Sequence, residues 1–95
     1  MMKNKRVRAE VSRLFGEPLV RLADMTDPAG LDLSAALMDR VHDGADALLT
    51  LRGDMAEQHR YVQALPHEIR LVLCMWLMDT GLAAKLVRAV FAKAG

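Results

Sequence analysis

Over the first fifteen residues the apolar side chains Val7, Val11, Leu14 and Phe15 recur at helical spacing, with basic residues and Glu10 between them, which predicts a helix from about Asn4 to Phe15. Gly16-Glu17-Pro18 then interrupts the pattern. Because Leu19, Val20 and Leu22 resume the apolar supply, a short helix restarting at Pro18 is expected, in preference to one kinked helix running on to about Ala23. Thr26-Asp27-Pro28-Ala29-Gly30 joins two turn-forming pairs and reads as a loop, with Asp32 or Ser34 placed to cap the next helix.

From there Leu37, Val41, Leu48, Leu51, Met55, Val62 and Leu65 fall on alternating steps of four and three, with Gly44 and Gln58 in the slots between. This is a heptad seam. One helix from about Leu33 to Leu65 is the expected form, since the phase survives across Gly53. A break near Arg52-Gly53-Asp54 is the alternative, because a glycine inside a helix costs about 1 kcal/mol.

Pro66 disfavours helical geometry at Leu65 and closes that segment. Eight consecutive apolar residues come next, Leu71 to Met78, carrying the single tryptophan and the single cysteine. In a helix such a run points apolar groups in every direction and must be enclosed. Pro66 and Glu68 suit a helix start, Gly81 suits a helix end, and the distance between Arg70 and Asp79 is far short of the ~20 apolar residues that cross a bilayer. A last helix is expected over residues 82–93, with Leu82, Leu86, Val90 and Phe91 inward and Lys85, Arg88 and Lys93 outward. The pattern as a whole predicts an all-α fold, a small bundle of four or five helices packed around the apolar helix at about 66–80. Residues 1–95 form one domain in this reading, with 1–6 as a basic arm, and Trp76 belongs to the core.

Composition agrees: 53% of the residues are hydrophobic but only 4% aromatic, so leucine, valine, alanine and seven methionines must build the core. One cysteine allows no intrachain disulfide, and the basic start lacks the apolar stretch of a signal peptide, so a cytoplasmic location is expected. The net charge of +1 conceals an asymmetry. Residues 1–21 carry six cations against two acids, residues 22–58 eight acids against Arg40 and Arg52, and residues 59–95 five cations against two acids.

Candidate chemistry is sparse. His42 and Asp46 lie one helical turn apart, but a metal site needs three or four ligands, so the cluster with Asp39 and Asp43 reads as a solvated acidic stripe shared with Thr50 and Glu57. Cys74 sits between Leu73 and Met75, a setting that protonates a thiol, and no histidine spacing supports it as a nucleophile. No enzymatic activity, cofactor or metal is expected. Arg52-Gly53-Asp54 spells a cell-adhesion tripeptide, here inside a helical pattern and with no export signal, and is read as coincidence.

The segment from Ala64-Leu65-Pro66 through Gly81-Leu82-Ala83-Ala84-Lys85 resembles the start of a helix-turn-helix of the kind found in bacterial sigma factors, which would imply DNA binding. No turn and recognition helix follow residues 82–93 in these 95 residues, and the middle of the chain is acidic, so that activity is not expected. The basic run Lys3, Lys5, Arg6 and Arg8 leaves a nucleic-acid-associated accessory role as the alternative. The leading expectation is a protein–protein interaction module (adaptor, chaperone or regulatory subunit) that binds another protein or a second copy of itself as a homodimer. Leu37, Val41, Leu48, Leu51 and Met55 would supply the apolar contact, and Asp39, Asp43 and Asp46 the orientation.

Overall fold

The computed structural model describes residues 5–78, with side chains from residue 7 onward. Five α-helices follow in order: α1 (Lys5–Phe15), α2 (Glu17–Met25), α3 (Ala35–Thr50), α4 (Met55–Gln63) and α5 (His67–Met78). No strand occurs among the described residues, and the bundle expected from the sequence is the fold observed.

Each boundary has a local cause. Gly16 separates α1 from α2 at φ 100°, a conformation open to glycine and strained for other residues, and the Ser12 hydroxyl donates across the break to Glu17 at 2.9 Å. The loop after α2 holds a 3-10 turn at Pro28–Gly30. Ser34, one of the two expected caps, accepts from the Leu37 backbone N–H at 3.0 Å and starts α3. Arg70 N–H donates to the Pro66 carbonyl at 2.9 Å, so the proline opens α5 where its missing donor is harmless.

The expected continuous helix over 33–65 is two helices. The chain turns through Leu51-Arg52-Gly53, Gly53 takes φ 89°, and the Asp54 carboxylate accepts from Glu57 N–H at 3.1 Å to begin α4. An unbroken seam phase did not demand an unbroken helix, because two helices that each turn the same stripe toward one core preserve it. The Arg52-Gly53-Asp54 tripeptide therefore lies in an exposed turn, with its carboxylate engaged as the cap.

Packing centres on α5, which touches α1, α2 and α3 and buries Ile69, Val72, Leu73, Cys74 and Leu77. Val11, Leu14 and Phe15 of α1, Leu19, Val20 and Ala23 of α2, Val41, Ala45 and Leu48 of α3 and Val62 of α4 complete the core. α5 packs tightly on α3 at Gly44, where an added Cβ would stand 3.1 Å from Leu73 Cδ2. Trp76 is only half-buried, a correction to its expected place in the core, and its ring lies 5.1 Å from that of exposed His42 at 56°. Gly81 and the expected helix over 82–93 lie outside the described residues. No helix among the described residues is long and apolar enough to cross a membrane.

Two polar side chains of α4 close the ends of other helices. The carbonyls of a helix's last turn have no partner within the helix. Gln58, 1% exposed, donates from Nε2 to the Leu48 carbonyl at 3.0 Å in the last turn of α3. Its neighbour His59 brings Nδ1 to 2.9 Å from the Leu14 carbonyl at the end of α1, a contact that requires the proton on Nδ1.

Candidate functional site

The structure divides the residues of the seam and the stripe into interior and exterior. Val41 and Leu48 are fully buried within the chain's own core, Leu37 and Met55 are half-buried and pack against it, and Leu51 is half-buried in the turn after α3. Val41, Leu48, Leu37 and Met55 hold α3 and α4 to the rest of the bundle, which leaves a partner the outer face of α3 and the segment before it. Asp39, Asp43 and Asp46 stand on that outer face, all exposed. Next to it in the chain, Met25 at the end of α2 and Leu33 before α3 are the exposed large apolar residues among the described ones, 79% and 41% accessible.

Ion pairing separates this face from α1, α2 and α4, whereas exposed Glu68 of α5 and Asp32 also have no ion pair among the described residues. Glu10 pairs with Arg13 at 2.9 Å, Glu17 with Arg21 at 3.7 Å, Asp24 with Arg8, and Glu57 with Arg60. Asp39, Asp43 and Asp46 have no cationic partner among the described residues, and Arg40 beside them has none either. Isolated surface pairs are worth at most about 1 kcal/mol each, so the contrast concerns the local field more than stability.

Arg8 is committed elsewhere. Its guanidinium grips Asp24 with both terminal nitrogens, Nη1 donating to Oδ1 at 3.1 Å and Nη2 to Oδ2, and Nη1 also lies 4.0 Å from the Met78 sulfur. One side chain of α1 thus ties down α2 and the end of α5. Of the other cations in the basic run, Lys5 and Arg6 begin α1 with side chains outside the described set, and Lys3 lies outside the described residues. The hydrogen bond from Arg8 holds the Asp24 carboxyl below its ordinary value of 3.8. The folded state therefore binds that proton less tightly than the unfolded chain. The resulting stability is present above the ordinary value and is lost as pH falls through the folded one. The urea midpoint is expected to fall between about pH 5 and about pH 2 by more in the native protein than in Asp24→Asn; parallel pH profiles would refute the assignment.

Cys74 is buried, and burial pushes its thiol up to about 12, which leaves it protonated and inert at neutral pH. No group of three or more histidine, cysteine, aspartate or glutamate side chains among the described residues could hold a metal ion. His42 is drawn to Trp76, not into a ligand set with Asp46. A shallow groove of about 330 Å³ between α2 and the start of α5, lined by residues some fifty positions apart, has no signal in local sequence.

No family model, curated protein or solved structure matches this chain.

Proposed function

We propose that this protein is a helical protein–protein interaction module, of the adaptor, chaperone or regulatory-subunit kind, which associates with a second copy of itself through the outer face of α3. The observation that carries this reading is the row Asp39, Asp43 and Asp46, exposed and without a cation among the described residues while acids of α1, α2 and α4 are matched by arginines. Exposed Leu33, just before α3, and exposed Met25, at the end of α2, are apolar groups available to a partner, and a methionine adapts its shape to the surface it meets. The complementary charge is available in the chain itself, in Lys3, Lys5 and Arg6 at one end and Lys85, Arg88 and Lys93 at the other. Because Val41 and Leu48 are spent on the core, such an association rests on charge more than on apolar area and is salt-sensitive.

Light scattering over a concentration series tests it. At low salt the mass is expected to approach twice the 10.5 kDa of the chain. High salt, or the combined substitution Asp39→Asn, Asp43→Asn and Asp46→Asn, is expected to weaken the association by about tenfold or more. A monomer at every concentration at low salt, or a dimer indifferent to both changes, would overturn the proposal.

A further inference from the structure

His42 stands between the acidic row and the central helix. Asp39 precedes it by three residues and Asp46 follows it by four, the spacings at which side chains on a helix are neighbours, and Asp43 is next to it in the chain. His42 is exposed, and its ring centroid lies 5.1 Å from that of Trp76 on α5. An aromatic ring attracts a cation within about 6 Å, so a protonated imidazole is held beside the row and does not swing away into solvent.

Few other charges face this position. On α3, Arg40 is the cation nearest in sequence, so the local charge of the three carboxylates and Arg40 is −2 with His42 neutral and −1 with His42 protonated. From α5 it meets Trp76: the ionisable groups His67, Glu68 and Arg70 belong to the first four residues of that helix, and Cys74 is buried with its thiol protonated. From α4, the Tyr61 hydroxyl comes to 3.9 Å from where a side chain at Gly44 would begin, while Glu57 pairs with Arg60 and His59 is engaged at the Leu14 carbonyl.

On the reading that the outer face of α3 pairs with a second copy, we propose that His42 makes this pairing pH-dependent. Neutral His42 leaves the row open to a lysine or arginine of the other copy, and protonated His42 repels it. Histidine is the side chain that ordinarily changes charge between about pH 5 and 8. One added positive charge halves the negative charge that the docking cation meets, and in a twofold pair the loss is felt at both copies. By linkage, docking a cation expels the proton from His42, so the pairing strengthens as pH rises through the histidine range.

Sedimentation equilibrium at low salt, at about pH 7.5 and about pH 5.5, tests this on the native protein, His42→Gln and His42→Lys. The native dimer is expected to weaken about fivefold or more at the lower pH, and the His42→Gln dimer by about twofold or less. His42→Lys, charged at both values, is expected to be as weak at about pH 7.5 as the native protein is at about pH 5.5. A native dimer of equal strength at the two values would overturn the switch and leave the self-association standing, and so would a His42→Gln dimer that weakens as much as the native one. No native dimer at about pH 7.5 would overturn the switch and the self-association together.

Discussion

Truncation of Leu73 to alanine is expected to lower the stability of the fold by about 2–5 kcal/mol, a large part of the about 5–15 kcal/mol that holds a domain of this kind. Leu73 is fully buried on the central helix, and its Cδ2 stands where a side chain at Gly44 would have to go. The missing atoms leave a space against the backbone of α3, which cannot move in without dragging Val41, Ala45 and Leu48 from their contacts. Urea unfolding followed by Trp76 fluorescence measures the loss, as a midpoint lowered by about 1 M or more at an unchanged slope. The same contact predicts a coupling. Gly44→Ala in the native background must displace Leu73 by a few tenths of an ångström. Combined with Leu73→Ala, the added methyl enters the vacated space and improves helix propensity by up to about 1 kcal/mol. Gly44→Ala with the same effect in both backgrounds would show that the two sites do not meet as described.

Replacing Gln58 by leucine is expected to cost about 1–3 kcal/mol although a polar group leaves the interior for an apolar one of similar size. The substitution removes the only donor described for the Leu48 carbonyl, and that oxygen remains in a site from which water is excluded. Gln58→Met, closer in shape, is expected to lose as much, because the shortfall lies in the missing N–H and not in volume. Urea midpoints of the two variants check this. A loss below about 0.5 kcal/mol in both would mean that the Leu48 carbonyl is satisfied from elsewhere.

Where local chemistry decided the structure, the chain could be read residue by residue. Gly16 and Pro18 announced the break after α1, Ser34 the start of α3, and the apolar run the helix on which the others pack. The division of α3 from α4 was hidden, because the seam's four-and-three spacing describes which side faces the core and is silent on whether the axis reverses. Gln58 looked like a gap in that seam, yet it is buried for its hydrogen bond. The candidate partner surface was legible only as charge. Asp39, Asp43 and Asp46 stood out from the sequence, but that Val41 and Leu48 belong to the interior depends on what the other helices cover. Arg8 read as one cation among four, since its match with Asp24, sixteen positions away, exists only once α1 and α2 pack. The groove joins Leu22 to Arg70 in the same way, through tertiary geometry.

The position of the central helix in the chain also bears on how the protein comes into being. A polypeptide made from its N-terminus has synthesised α1 to α4 before α5 exists, at about 5–20 residues per second. Until residues 67–78 emerge, the apolar stripes of α1, α2 and α3 have no common surface to meet. Helices of nine to sixteen residues are marginal in water on their own. Before α5 is made, the contacts of α1 with α2 and α4 can form, but the apolar stripes of α1, α2 and α3 that face α5 stay uncovered and open to holdases and proteases.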